Sequence, residues 1–311
     1  MTKKDQAVRG MLALVGLAGL YGLAGALARY LGHDLGIFEQ WYMRYGLACV
    51  FAIICFYNKI DLRKLLHLPG REWAVLLFRT IAGSVIAVAL LTLAVQQAKI
   101  GPVAFMQILP TTALFGVLLF HEKLSWKKGG LLLLSFCGAS IVTVSGFNDL
   151  SGINMGEVWS LISGAIFSLV LVTRKWHGPS LNNYELTVIM TGMSAIMDYS
   201  LSLVLYHRPF IPSEVFTLDF SLVMLLAGAM SVGIHFLMNY GFEHVSSIVA
   251  SAILDLEMVF GAIFGFVLYG EVLSPREVIG GAVILGAVVL MNQLARSEGE
   301  GGEVAPDPIP D

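Results

Sequence analysis

Apolar runs of about 20 to 25 residues recur along nearly the whole chain, and this recurrence constrains the fold more than any motif does. At about 1.5 Å per residue such a run covers a hydrocarbon core of about 30 Å, and in lipid only a helix or a closed barrel satisfies its own backbone. Hydrophobic residues make up 57% of the 311 and charged residues 13%, against the roughly 25% charged of a soluble domain. Mean hydropathy is +0.77. The expectation is an all-α polytopic membrane protein with ten transmembrane helices, at 10–31, 35–57, 72–96, 99–120, 127–145, 154–174, 183–206, 219–243, 246–268 and 276–295.

The joints set the topology. "QQAKIGP" (96–102) and "FEHVSS" (242–247) are tight, so the helices they connect are antiparallel neighbours. Thirteen of the nineteen Lys and Arg fall on one side of the expected spans: in the N-terminus, at Lys59, Arg63, Lys64 and Arg71, at Lys123, Lys127 and Lys128, at Arg174 and Lys175, and at Arg296. Arg29, Lys99, Arg208 and Arg276 fall on the other. Positive loops stay inside, which puts both termini in the cytoplasm and the chain in the inner (plasma) membrane as a multi-pass protein. The first span follows Lys3, Lys4 and Arg9 and ends in "ALA" (26–28), like a signal peptide, but its length and glycine content favour a retained helix. Residues 1–9 read as a cytoplasmic N-terminus. Residues 296–311 read as an acidic, disordered tail that lacks the apolar side chains to offset ordering.

An internal repeat organises the spans. Glu122 and Glu271, 149 residues apart, each stand in a Glu-x-Leu-Ser that closes a span before a Gly-bearing one. Gly10 and Gly156, and Glu39 and Glu185, are 146 apart. The repeats are read as 10–145 and 154–295. Five spans per repeat is an odd number, so the second is inverted in the membrane, an architecture of secondary transporters with a site near the midplane.

The two Glu-x-Leu-Ser ends, "RYGLA" (44–48) and Pro110 in the fourth span resemble the EamA branch of the drug/metabolite transporter superfamily, over residues 10–295. The resemblance implies a ten-helix carrier whose central cavity is lined by spans 1, 3, 4, 6, 8 and 9 and which moves amino acids, other small metabolites or organic cations. Where such proteins often carry a proline in the ninth span, this chain has "DLEMVFG".

Ionisable side chains at bilayer depth are costly and point to function. Arg44 and Arg79 lie about 13 and 10 Å inside their spans, against Glu39, Asp198, Asp255 and Glu257. Arg44 and Arg79 are each expected to pair with an acid, Asp198 among them, leaving a surplus carboxylate. Asp255 and Glu257 in "ILDLEMVFG" point about 200° apart, so one faces the pathway to bind a proton or a substrate ammonium. Asp255 is preferred for this. His235 and Asn239 share one face of the eighth span, and the imidazole is either a packing group or a proton relay. Tyr21 and Phe167, near mid-membrane in equivalent spans, read as core residues or as ring faces for a cation. Gly16, Gly19, Gly22 and Gly25 make a smooth stripe for close helix packing or for sliding. Glu122 and Glu271 are expected to accept from the first free N–H groups of the helix that follows each of them.

Catalysis is not indicated. "HEKLS" (121–125) lacks the second histidine of a zinc-protease helix, no Walker A loop is present, and no lysine lies deep in a span. No metal site, cofactor or nucleic-acid partner is expected. The partners are a small-molecule substrate, membrane lipid and protons, with the protein a monomer or homodimer. The expected function is secondary active transport of an amino acid or related metabolite, with export favoured. A proton-coupled carrier of a quaternary ammonium compound is the alternative, and a membrane enzyme or scaffold a remote one.

Overall fold

The computed structural model describes residues 3–31, 35–98, 103, 106–107, 109–143, 155–207, 210–270, 272 and 274–297. The expected tail from residue 298 onward and Glu271 lie outside the described residues, as do the surroundings of Gly25. The longer helices among the described residues are α1 (Lys3–Leu31), α2 (Ile37–Phe56), α3 (70–97), α4 (Thr111–Phe120), α5 (Trp126–Thr143), α6 (Met155–Val172), α7 (Asn183–Tyr206), α8 (Leu218–His244), α9 (247–269) and α10 (Pro275–Ser297). Among the described residues no strand is present, and seven helices are long and apolar enough to cross a membrane: α1, α3, α6, α7, α8, α9 and α10.

Two of these helices are irregular at depth. Residues Ile81–Ala87 of α3 form a π-helical segment, and α9 breaks at Asp255 into Ser247–Leu254 and Leu256–Tyr269. Helix ends follow local chemistry. Glu39 and Glu185 each stand three residues after the N-cap and accept its N–H, from Gly36 N at 2.8 Å and from Asn182 N at 2.9 Å, and the Asn182 side chain completes a capping box on α7. α4 and α9 both end in left-handed residues 149 apart, His121 (φ 51°) and Gly270 (φ 67°).

The packing has a two-fold character. α1 lies on α8 and α9, while α6 lies on α3 and α4; α2 packs on α7, α4 on α9 and α5 on α10. Exchanging the two halves maps every one of these pairs onto another or onto itself. Glycine makes the closest approaches possible: a Cβ on Gly22 would lie 2.7 Å from Gly261 N of α9, and one on Gly280 2.7 Å from Gly138 O of α5. Gly16 meets Leu237 and Gly19 meets Phe260 at ordinary or slightly tight distances. Leu14 and Leu17 of α1, Leu76 of α3, Leu186 of α7, Phe242 of α8 and Ile253 of α9 are fully buried in one continuous core.

Candidate functional site

The stretch "ILDLEMVFG" sits at the break in α9. Asp255 Oδ2 accepts from Ser135 Oγ at 2.6 Å, which turns this carboxylate toward α5 on the scaffold side. Glu257, on the opposite side of the helix, comes within electrostatic reach of Tyr21 of α1. Asp255 is thus held by the serine of a neighbouring helix, while Glu257 is the acid within electrostatic reach of α1.

A second cluster lies where α2, α3, α7 and α8 meet. Arg79 is wholly buried; it donates from Nη2 to Asn239 Oδ1 at 2.9 Å and from Nε to Val170 O at 3.3 Å. Its Nη1 and the Nδ2 of Asn239 are buried with no partner among the described residues. The Arg44 guanidinium lies 4.4 Å from the Trp41 ring centroid, with Nε likewise unpartnered. Asp198 is 0% exposed, and neither of its carboxylate oxygens has a partner among the described residues. The expected pairing of Arg44 and Arg79 with acids is therefore corrected. A neutral amide dipole reaches Arg79 from α8, an aromatic face covers Arg44, and neither pairs with Asp198 among the described residues. Tyr45, buried beside Arg44, lies within electrostatic reach of Asp198, and its ring meets His235 edge-on at 5.5 Å. His235 also uses Nδ1, 2.9 Å from Ser231 O.

Hydroxyls complete the cluster, and the charge-based reading passed over them. Ser84 of the π segment and Ser194 of α7 share a hydrogen bond of 2.6 Å. Thr111 and Thr112 hold Ser168 at 2.6 and 3.0 Å, tying α4 to α6 just after Pro110, which caps α4. Phe167 is half-buried on α6. The available signal was spacing: polar residues at helical intervals in apolar spans mark a buried face.

The face bearing the 57–69 and 177–182 connections is closed by charge. Glu122 accepts from Ser247 N at 2.9 Å and Ile248 N at 3.1 Å and pairs with Lys175. It thus caps α9, in the other half of the chain, rather than the helix that follows it. Burial alone would raise its pKa, but Lys175 and the Ser247 N–H outweigh that and hold it below the usual carboxylate range. Arg174 contacts Glu243 at 3.0 Å and Asn183 at 2.9 Å. Glu72 accepts from Gly178 N at 2.6 Å and lies 2.7 Å from His177 Nδ1. Burial pushes the His177 imidazole down to about 4 against the pull of Glu72, with Arg79 and Arg174 adding to the depression. The contact is therefore a hydrogen bond from a neutral ring to a carboxylate. Among the described residues no group of three or more His, Cys, Asp or Glu could hold a metal ion.

The comparisons agree with this architecture. The model of the EamA-like transporter family matches residues 8–144 and again 154–293. A chloroplastic WAT1-related protein of Arabidopsis thaliana is 26% identical over 196 residues, 58% of this chain and 45% of that protein, so the match spans less than half of the relative's length. A solved crystal structure shares the fold with a TM-score of 0.78 at 16% identity, over 94% of this chain and 99% of the other. Two family matches that together span most of the sequence make this chain a member of the EamA-like transporter family.

Proposed function

We propose that the protein is an alternating-access secondary carrier that moves an amino acid or a closely related metabolite out of the cell. In this reading ten spans form two inverted five-helix repeats in the inner (plasma) membrane, with both termini cytoplasmic. The observation that carries it is the Arg79–Asn239 contact. It joins α3 of the first half to α8 of the second, deep in the bundle, and leaves donors on both partners unsatisfied. Buried donors without acceptors are costly, and a planar guanidinium is suited to a carboxylate. A ligand carboxylate arriving between the halves would relieve both.

Counterflow in proteoliposomes tests the proposal. Vesicles preloaded with unlabelled amino acids should take up a labelled mixture, and Arg79→Lys, which lacks the planar fork, should lose at least tenfold of that exchange. No exchange by the wild type with any labelled amino acid would refute it. A second reading, an organic-cation carrier, is favoured by Glu257 lying within electrostatic reach of Tyr21. Exchange of labelled tetraethylammonium in the same vesicles, abolished by Glu257→Gln, would select it.

A further inference from the structure

One buried acid of the second cluster has no hydrogen-bond partner among the described residues. Asp198 lies about 22 Å along α7 from Asn183 and about 12 Å from the other end of the helix. Both of its oxygens are sealed from solvent and unpartnered among the described residues. An ionised carboxylate in that position would cost several kcal/mol. The groups around it do not neutralise it. On α2 these are Tyr45 and Arg44, the latter stacked on Trp41; on α3 they are Ser84 and, further along, Arg79, which is engaged with Asn239; on α8 there is His235, edge-on to Tyr45.

Asp198 is also part of a pattern. Thr187, Thr191, Ser194, Asp198 and Ser202 follow at intervals of four, three, four and four residues, so they share one face of α7. None is more than 2% exposed. Thr187 Oγ1 donates to Asn183 O and Thr191 Oγ1 to Thr187 O, each at 2.7 Å, and Ser194 meets Ser84 at 2.6 Å. At the charged face the stripe starts beside Asn183, whose side chain holds Arg174 and Glu243. Hydroxyls alone would serve helix packing. A carboxyl in line with them adds a group that takes up and releases a proton, and each hydroxyl is both donor and acceptor.

We infer that Asp198 is a proton-binding site, filled in this conformation and lying in line with the hydroxyl stripe that runs along α7 to the charged face. The inference rests on the carrier reading: the carboxylate takes up one proton from one side when the bundle opens there, is buried as the neutral acid, and releases the proton to the other side.

Infrared difference spectroscopy of the protein in lipid nanodiscs, between acid and alkaline pH, reads the protonated carboxyl directly. A carbonyl band that is lost in Asp198→Asn and shifted in Asp198→Glu is the expected result. A spectrum that neither substitution alters overturns the inference. In proteoliposomes with a labelled amino-acid mixture as the probe, the ratio of pH-gradient-driven accumulation to counterflow should fall at least tenfold in Asp198→Asn. An unchanged ratio also overturns it. If the wild type exchanges no amino acid but its carbonyl band still disappears in Asp198→Asn, the substrate reading falls and the proton site stands.

Discussion

The carboxylate of Glu122, at the end of α4, accepts the backbone N–H of Ser247, 2.9 Å away at the start of α9. The bond joins the two halves of the chain at the face where Lys175 also meets Glu122. A capping acceptor is worth about 0.5 to 2 kcal/mol, and breaking a partly buried ion pair costs more, up to about 3 to 5 kcal/mol. Glu122→Ala is therefore expected to lose about 3 kcal/mol and Glu122→Gln, which keeps one acceptor, about half of that. Thermal melting in detergent measures both. Equal losses would show that the charge on Lys175 does not matter.

The neutral state of His177 gives the protein an acid sensitivity. The unfolded imidazole takes a proton near pH 6.5 while the folded one resists until about 4. Between those values the unfolded state binds more protons, so stability falls as pH drops from about 6.5 to about 4 and levels off below. Glu122, held below the usual carboxylate range, adds its own loss at the acid end. The His177→Gln variant should show a flatter melting-temperature profile between pH 6.5 and 4. A slope equal to the wild type would assign the sensitivity elsewhere.

Landmarks in the chain gave much of this arrangement, because equivalent positions do equivalent local work. Glu39 and Glu185, 146 residues apart, cap α2 and α7 in the same way. Glu122 shows the limit: its spacing from Glu271 marks the end of a span but not which helix it meets, since that depends on packing across the halves. The acids show the same limit. A 200° separation puts Asp255 and Glu257 on opposite sides of α9, yet only the position of Ser135 on α5 decides which side is scaffold. Charge counting pairs Arg79 with an acid because it ignores amides, and Asn239 is what α8 presents to it.

Close approach of α1 and α9 makes Gly22 far less tolerant than its neighbour Gly19. A methyl at Gly22 would press on the backbone nitrogen of Gly261, which cannot move aside, whereas one at Gly19 meets only the Phe260 ring at 3.8 Å. Gly22→Ala is expected to cost about 1 to 3 kcal/mol and Gly19→Ala close to nothing. Melting of the two purified variants compares them.

The left-handed residues that end α4 and α9 predict opposite effects from opposite substitutions. A side chain costs roughly 1 to 2 kcal/mol in this conformation, which glycine avoids. His121 carries that cost at φ 51°, so His121→Gly should raise stability by about 1 kcal/mol. Gly270→Ala at φ 67° should lower it by a similar amount. Paired denaturation measurements would expose any compensation by the His121 side chain as a failure of the first gain.

The two acids of "ILDLEMVFG" should separate into a structural and a functional role. Asp255 is committed to Ser135 at 2.6 Å, so removing either partner strands a buried polar atom at a cost of about 1 to 3 kcal/mol. Ser135→Ala and Asp255→Ala should therefore destabilise alike, and combining them should cost less than the sum, since the second change removes a group already unpaired. Asp255→Asn retains an acceptor for the serine and should melt near the wild type. Glu257, within electrostatic reach of Tyr21, has no such hydrogen-bond partner among the described residues, so Glu257→Gln should leave melting unchanged and weaken an organic cation by roughly tenfold, about 1.4 kcal/mol. Tetraethylammonium-induced shifts in melting temperature read that loss directly. If Asp255→Asn weakens the cation while Glu257→Gln does not, the roles drawn from the break in α9 are reversed.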